Sequence, residues 1–229
     1  MANDPDTAPA ARIATTTPIA TLSVADAAEA HLRALLFGGA FEAGQELRDT
    51  VLARELGIAR PTARTAVLRL ISEGLLERRP GRSARVRTFT AADVKDSYDV
   101  RRLIEFEAVR IITQQSRSTT RIEEALADFK KAGDSWEAGP DADARFHTAV
   151  VAATGSPRLT RMFDALATEM RLMIGLLRSR YADLTELYDE HAVLLAALQS
   201  RDTGAALTLW EEHIRDAERY LTASLTEHE

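Results

Sequence analysis

The chain has 229 residues, of which 45% are hydrophobic and 28% are charged, a composition typical of a soluble globular protein large enough for two small domains. It contains no cysteine, which excludes disulfides, thiolate zinc sites and cysteine nucleophiles. No apolar run is long enough to cross a bilayer, and the N-terminal segment lacks the apolar core of a signal peptide. We therefore expect a cytoplasmic protein without a membrane partner.

The formal net charge of −6 is unevenly distributed along the chain. Residues 58–88 contain eight arginines and two glutamates, a net charge of +6, whereas residues 89–229 carry 17 basic and 25 acidic side chains, a net charge of −8. A basic segment is attracted to a phosphate backbone, and an acidic segment is repelled by it. The asymmetry therefore predicts that the N-terminal part of the chain binds nucleic acid.

The N-terminal part is predicted to contain three helices and a β-hairpin. Residues 1–20 are rich in Ala, Thr, Pro and Asp without apolar periodicity, so we expect a disordered tail there. Helices are predicted at 23–37, 50–56 and 61–73, and hairpin strands at 75–79 and 84–88. Three helices followed by a hairpin make a winged helix-turn-helix domain, which we assign to residues 21–88.

The remainder of the chain has a helical pattern throughout. Six helices are predicted, at about 90–115, 119–132, 140–154, 157–180, 184–200 and 203–225. Their connections are short, as between antiparallel neighbours in a bundle. The predicted fold class is therefore mainly α, with a winged helix-turn-helix domain, a linker at 89–96 and an all-α antiparallel helical bundle over 97–229.

The helix predicted at 61–73 is a candidate recognition helix. It follows a short helix and a turn at Gly57, an arrangement in which the second helix lies in the major groove of DNA with its N-terminal residues facing the base edges. Apolar residues at core spacing leave the outer face to Arg60, Thr62, Arg64, Thr65 and Arg69. Arginine can bind guanine through two hydrogen bonds, and a helix N-terminus can meet a phosphate. A solvated basic face on an ordinary helix is the alternative.

The motifs in this region resemble the GntR family of bacterial regulators. The family pattern consists of LA, LG, SRTPVREAL, a leucine, EGL and a wing glycine. In the same order, this chain has Leu52-Ala53, Leu56-Gly57, residues 59–67, Leu70, Glu73-Gly74-Leu75 and Gly81. The resemblance implies that Arg60 and Arg64 make the main DNA contacts and that Thr62 contacts the backbone or a base. Gly81 is expected at the wing tip, and Arg82 beside it completes the predicted DNA-binding residues.

The chain departs from this family pattern at several positions. An arginine is replaced by Thr50, a serine by Ala59, a Thr-Pro pair by Pro61-Thr62, and a glutamate by Thr65. These departures leave the operator sequence open but not the prediction of DNA binding. The resemblance implies a sequence-specific transcription regulator, expected to be a repressor, that binds palindromic double-stranded operator DNA as a homodimer.

Three of the five histidines fall in predicted helices of the bundle. They are His147, His191 and His213, whereas His31 and His228 are expected to face solvent. Asp143 precedes His147 by four residues, so both lie on one face of a helix. Imidazoles and a carboxylate that converge inside a bundle are ligands for a divalent ion such as zinc, nickel or manganese. For each histidine alone, a core or surface position without a ligand is the alternative.

The bundle also resembles the FCD-type ligand-binding domain of the FadR-like subfamily. The matching blocks are Tyr98-Asp99-Val100-Arg101 with Glu105, residues 143–147, residues 190–198 and residues 210–213. Many members hold a metal at the floor of an effector cavity with one aspartate and three histidines. The resemblance implies a divalent metal cofactor, with zinc as the expected ion and nickel or manganese as alternatives. The implied ligands are Asp143, His147, His191 and His213.

A small carboxylate is the predicted effector, because it can occupy open positions on a six-coordinate ion. Arg101 is the candidate to pair with that carboxylate through its planar guanidinium, and a surface ion pair is the alternative for this residue. A metal-dependent enzyme with an accessory DNA-binding domain and a regulator with a purely structural metal are the other functions considered. The chain has no HExxH motif, although Glu190 stands beside His191. We therefore expect a regulator without catalytic residues.

Overall fold

The computed structural model describes residues 23–132, 138–175 and 184–226. It confirms the predicted fold class, because a winged helix-turn-helix is followed by helices alone in this part of the chain. The tail predicted at 1–20, His228 and the end of the helix predicted at 157–180 lie outside the described residues. Within the described ranges, no helix is both long and apolar enough to cross a membrane.

The N-terminal part contains three helices and a three-stranded antiparallel sheet. In chain order the elements are α1 (Val24–Phe37), β1 (Glu46–Leu47), α2 (Asp49–Glu55), α3 (Arg60–Ser72), β2 (Leu76–Arg78) and β3 (Ala84–Val86). Strand β3 lies between β1 and β2 and pairs with both. Strand β1 was not predicted from the sequence, because a strand of two residues has no alternation of apolar and polar side chains to detect.

Helices α2 and α3 form the helix-turn-helix and are joined by a turn at Gly57. This residue has a φ of +63°, a left-handed conformation that glycine adopts without steric cost. Four residues of α3 are fully buried, namely Ala63, Ala66, Val67 and Leu70. Because α3 packs against α1 and α2 through this side, its opposite face remains exposed.

The connection between the two parts is shorter than the linker predicted at 89–96. The Thr90 hydroxyl accepts a hydrogen bond from the backbone N–H of Asp93, and the Asp93 carboxylate accepts one from the backbone N–H of Thr90. This capping box starts the next helix at Ala91. Residues 91–96 are therefore the first turns of a helix, as the helix predicted at about 90–115 implied, and do not belong to a linker.

The described part of the bundle contains six helices. They are α4 (Ala91–Gln114), α5 (Thr120–Ala132), α6 (Gly139–Ala153), α7 (Pro157–Gly175), α8 (Leu184–Ser200) and α9 (Thr203–Thr226). Helix α4 is central, since it packs against α6, α7, α8 and α9. Its buried face carries Tyr98, Arg101 and Glu105 at helical spacing. Covering this face with the other helices places three polar side chains in the interior of the bundle.

Helix α7 connects the bundle to the N-terminal domain. Arg87, which directly follows β3, donates a hydrogen bond from Nη1 to Glu169 Oε1 on α7 at 2.5 Å. Arg171, also on α7, forms an ion pair with Asp141 Oδ1 on α6 at 2.9 Å, and its guanidinium lies 6.0 Å from the ring centroid of Phe37 on α1. One helix of the bundle is thus in contact with both the wing and the first helix of the N-terminal domain.

Candidate metal centre and DNA-binding surface

The four side chains predicted as metal ligands meet inside the bundle. Asp143 and His147 lie on α6, His191 on α8 and His213 on α9. One ligand atom from each residue lies within 4.8 Å of those of the other three. Asp143, His147 and His191 are buried, and the His213 side chain is 9% exposed. The packing of three helices therefore assembles residues that are separated by up to 70 positions in the sequence.

The atoms at the centre of this cluster are spaced like ligands of one ion. His147 Nε2 lies 3.1 Å from His191 Nε2, and Asp143 Oδ1 lies 3.1 Å from His191 Nε2 and 3.7 Å from His147 Nε2. Two ligand atoms that are each about 2.1 Å from one ion are about 3.0–3.4 Å apart at coordination angles of about 90–109°. The observed separations are close to that range.

The hydrogen bonds of two histidines direct their lone pairs toward the centre. His147 Nδ1 donates to Glu105 Oε2 at 2.8 Å, and His191 Nδ1 donates to the backbone carbonyl of Leu187 at 2.7 Å. A carboxylate and a carbonyl only accept hydrogen bonds, so the proton of each neutral ring is on Nδ1. The unprotonated Nε2 atoms of both rings therefore face the cluster, as metal ligation requires.

The protonation states of the cluster also fit a divalent ion. Burial, together with the nearby His191 and His147, lowers the pKa of His213 to about 4. Burial and the Arg101 guanidinium lower the pKa of His147. Burial alone would raise the pKa of Asp143, but the nearby His147, His191 and Arg101 side chains hold it below its ordinary value. Asp143 Oδ2 is buried without a hydrogen-bond partner among the described residues. Neutral imidazoles and an ionised carboxylate with an unsatisfied oxygen form a suitable donor set.

Arg101, the predicted effector-binding residue, lies directly beside the cluster. Its side chain is 1% exposed, so the alternative of a surface ion pair is wrong. Arg101 Nε donates to Glu105 Oε1 at 2.6 Å, and Arg101 Nη2 donates to His147 Nε2 at 2.7 Å. Glu105 additionally accepts a hydrogen bond from Trp210 Nε1 at 2.8 Å. Glu105 was not predicted as a site residue, although its position four residues after Arg101 places both on one helix face.

The predicted DNA contacts lie on exposed parts of the N-terminal domain. On α3, Arg60, Arg64 and Thr65 are exposed and Thr62 is half-buried, and Gly81 and Arg82 are exposed in the turn between β2 and β3. Gly81 has a φ of +72°, so the wing tip uses a conformation that favours glycine. The outer face of α3 and the wing tip thus present exposed arginines at the protein surface.

Arg69 differs from the other predicted DNA-binding residues. Its Nη1 donates to Asp26 Oδ1 at 2.5 Å and to Glu29 Oε2 at 3.0 Å, both on α1. The hydrogen bonds from Arg69 and then from Ser23 lower the pKa of Asp26 to about 2. Two carboxylates of α1 are partners of this guanidinium, so Arg69 contributes to the contact between α1 and α3, and its role in DNA binding stays a prediction.

Comparison with known proteins matches both parts of the chain to families. The profile of the FCD domain matches residues 96–216, and that of the bacterial regulatory proteins of the gntR family matches residues 24–86. The first match covers more than half of the chain and contains all four candidate metal ligands. The second match covers the winged helix-turn-helix.

Several bacterial regulators are similar to this chain in sequence. The uncharacterised HTH-type transcriptional regulator YdhC of Bacillus subtilis (strain 168) is 29% identical over 104 residues, which are 44% of this chain and 46% of the relative. The gluconate operon transcriptional repressor of the same bacterium is 23% identical and covers 82% of this chain and 81% of the repressor. The HTH-type transcriptional repressor GlaR of Escherichia coli (strain K12) is 25% identical, with coverages of 77% and 86%.

Solved structures resemble the whole two-part arrangement. A GntR transcriptional regulator from Rhodococcus sp. RHA1 has a TM-score of 0.74 and 26% identity, and the match covers 87% of this chain and 97% of the regulator. The E. coli protein McbR/YncC has a TM-score of 0.67 at 22% identity, with coverages of 88% and 98%, and supports the fold alone. The family and the similar regulators confirm the prediction of a regulator and not an enzyme. This chain belongs to the GntR family of bacterial regulatory proteins and is a DNA-binding transcription regulator whose winged helix-turn-helix is followed by an FCD domain.

Proposed function

We propose that this regulator represses transcription from a palindromic operator, and that a small carboxylate bound at a metal ion in the FCD domain changes its affinity for DNA. The observation that carries the proposal is the convergence at one point of Asp143, His147, His191 and His213. A purely structural metal is the alternative, and it predicts a different result when small acids are added to the metal-loaded protein.

The four side chains of the cluster are the proposed ligands of the ion. They supply Nε2 of His147 and of His191, the imidazole of His213 and the carboxylate of Asp143. Nitrogen and oxygen ligands in this ratio suit zinc, nickel and manganese, of which zinc is the expected ion. When bound, the ion supplies a Lewis acid to which a carboxylate can coordinate.

The charge of the buried groups favours an anionic effector. The buried charged groups at the cluster are the carboxylate of Asp143, which belongs to it, and the carboxylate of Glu105 and the guanidinium of Arg101, which lie beside it. With neutral imidazoles, these groups carry one net negative charge, and a divalent ion changes this to one net positive charge. A buried charge needs a compensating partner, which one carboxylate of a small acid supplies. A similar repressor carries gluconate in its name, and gluconate is a sugar acid with one carboxylate.

Arg101 is the proposed partner of that carboxylate. A metal ion on His147 would use the Nε2 lone pair to which Arg101 Nη2 donates in this structure. We expect the displaced N–H to find its new acceptor on the effector, because guanidinium and carboxylate pair through two parallel hydrogen bonds.

Chelation tests the metal centre. A metal that binds the folded state stabilises it by RT ln(1 + [M]/Kd), about 4 kcal/mol when free metal is about 1,000 times Kd, so a chelator should lower the melting temperature. The double substitution His147→Ala and His191→Ala should abolish this difference, whereas His31→Ala, at an exposed position of α1, should preserve it. Elemental analysis of gently purified protein identifies the ion. Absence of bound metal and of any melting shift with zinc, nickel or manganese would contradict the metal centre.

Calorimetry separates a sensor from a structural metal. Small carboxylic acids, gluconate among them, are titrated into metal-loaded protein and into protein with Arg101→Met. We expect at least one acid to bind the metal-loaded wild type, to bind the variant more weakly and to change operator affinity. A metal-loaded protein that binds none of a broad panel of acids would favour the structural role.

Operator binding is proposed to depend on Arg60, Thr62, Arg64, Thr65, Gly81 and Arg82. Arg64→Ala should weaken specific binding by roughly 1–3 kcal/mol without changing the fold, because a bidentate contact to a base is lost. Arg158→Ala removes an equal charge from an exposed position on α7 and should leave operator affinity nearly unchanged. Gel-shift titrations at fixed salt measure both effects, and equal affinities for wild type and Arg64→Ala would contradict the proposed docking.

A homodimer is the proposed DNA-binding form, because one recognition helix covers only a few base pairs of a two-fold symmetric operator. The exposed side of α4 carries two apolar side chains that support a contact between copies: Leu103 is 75% exposed and Val100 is 38% exposed. Light scattering should give twice the chain mass for the wild type and a lower mass for Leu103→Glu. A monomeric wild type at micromolar concentration would contradict the dimer.

A further inference from the structure

We propose that Glu105 is the positioning residue that couples the metal ligand His147 to the effector-binding Arg101; this inference rests on the proposed metal centre. Glu105 is not one of the four ligands. It lies on α4 and is 0% exposed. Its carboxylate therefore acts only through the side chains that contact it within the bundle.

Glu105 accepts hydrogen bonds from three different side chains. Oε1 accepts from Arg101 Nε at 2.6 Å, and Oε2 accepts from His147 Nδ1 at 2.8 Å and from Trp210 Nε1 at 2.8 Å. The donors come from α4, α6 and α9, so one carboxylate connects three helices around the cluster. A buried carboxylate with this many donors is a satisfied and well-oriented acceptor.

The contact with His147 determines which ring nitrogen can bind a metal. An ionised carboxylate is only an acceptor, so its hydrogen bond keeps the proton of His147 on Nδ1 and leaves Nε2 unprotonated. A carboxylate behind a ligating histidine also orients the ring and raises its basicity, and removal of such a partner typically lowers metal affinity 10–100-fold. His191 is held differently, since its Nδ1 donates to the backbone carbonyl of Leu187.

The contact with Arg101 links the same carboxylate to the anion-binding side. Arg101 donates through Nε to Glu105 and through Nη2 to His147 Nε2. A metal on His147 removes the acceptor of Nη2 but leaves the Nε contact with Glu105, so the guanidinium stays anchored while one N–H is released. Metal binding should therefore increase the affinity for an anion, and by linkage the anion should increase the affinity for metal by the same factor.

Trp210 provides an optical probe of this network. Its indole is buried and its Nε1 donates to Glu105. The other tryptophan, Trp136, lies outside the described residues and can be replaced by Phe, which leaves Trp210 as the single tryptophan. Addition of zinc to this background should shift the Trp210 emission, because the charge beside its hydrogen-bond acceptor changes.

Glu105→Gln is the central variant, and Glu107→Gln is its matched control on the exposed side of the same helix. Glutamine keeps the size of the side chain, but its NH₂ group must face at least one of the three N–H donors. Zinc affinity, measured by competition with a chelator, should fall 10–100-fold in Glu105→Gln and less than twofold in Glu107→Gln. The zinc-dependent Trp210 shift should be reduced in the first variant only.

A second measurement includes a wild-type result that does not depend on whether Glu105→Gln folds. Long-range ¹H–¹⁵N spectra of the chelator-treated protein report the protonated ring nitrogen of each histidine. The wild type should show His147 and His191 protonated on Nδ1, and Glu105→Gln should change His147 while leaving His191 unchanged. A wild-type His147 protonated on Nε2, or a variant with unchanged zinc affinity, would overturn the role of Glu105 while the metal centre stands. Absence of zinc binding to the wild type would overturn the metal centre and this inference with it.

Discussion

The winged helix-turn-helix domain and the FCD bundle place their charged side chains in opposite environments. In the first, Arg60 and Arg64 are exposed on α3 and Arg82 is exposed at the wing tip. In the second, the side chain of Arg101 is 1% exposed and that of Glu105 is 0% exposed. The same residue type thus lies in water in one domain and within a closed set of partners in the other.

The difference corresponds to two kinds of ligand. A DNA backbone is a long polyanion. Exposed arginines attract it at separations up to about the Debye length, beyond which salt screens the charges. A small acid is recognised only at contact, where buried charges need fixed partners to offset their lost hydration. Exposed arginines should therefore be replaceable at little cost to folding, whereas the buried network should not.

The largest expected effect is the difference in free energy of unfolding between replacing the buried Arg101 and replacing the exposed Arg64. Arg101→Met leaves Glu105 and Asp143 as buried carboxylates without their guanidinium and should lower the free energy of unfolding by about 3–5 kcal/mol. Arg64→Met removes an exposed side chain and should change it by less than about 0.5 kcal/mol. Urea denaturation of both variants measures the difference. Equal destabilisation would break the contrast between the two domains.

The ion pair between the domains should have an intermediate effect. Arg87 and Glu169 are 26% and 28% exposed, so solvent screens their attraction only partly. Glu169→Gln should lower the free energy of unfolding by up to about 1 kcal/mol. The exposed pair Glu107–Arg110, with side chains 52% and 45% exposed, provides the control, and Glu107→Gln should have a smaller effect. Thermal melts at constant pH compare them, and a larger loss for the exposed pair would contradict the prediction.

The smallest effect on stability is expected for the exposed contact between α1 and α3. The hydrogen bonds from Arg69 and Ser23 lower the pKa of Asp26 from 3.8 to about 2. A carboxyl whose pKa is lowered by folding stabilises the folded state above about pH 3.8, and this contribution is lost as the pH falls through about 2. Arg69→Met should return the pKa of Asp26 toward 3.8, and Arg64→Met should not. Carboxylate NMR titration measures both, and an unchanged pKa in Arg69→Met would assign the shift to Ser23 alone.

Much of the fold could be read from local sequence patterns. The boundaries of α1, α5, α8 and α9 lie within one or two residues of their predicted positions, because apolar periodicity and the residues at helix ends are local signals. Strand β1 was not predicted, since its two residues become a strand only through pairing with β3. The linker was predicted too long because the domain division assigned residues 89–96 to it, although the helix prediction already began at about residue 90, where the structure starts the helix.

The donor set of the candidate site was also readable from the sequence, whereas its surroundings were not. Asp143 and His147 share a helix face by their spacing, and the resemblance to the FCD domain added His191 and His213. Nothing local indicated that Arg69 faces α1, or that Glu105 accepts hydrogen bonds from His147 and from Trp210, which are 42 and 105 positions away. Helix formation depends on neighbours three or four residues apart, but the partner of a buried charge depends on how the helices pack, and only the tertiary structure decides that.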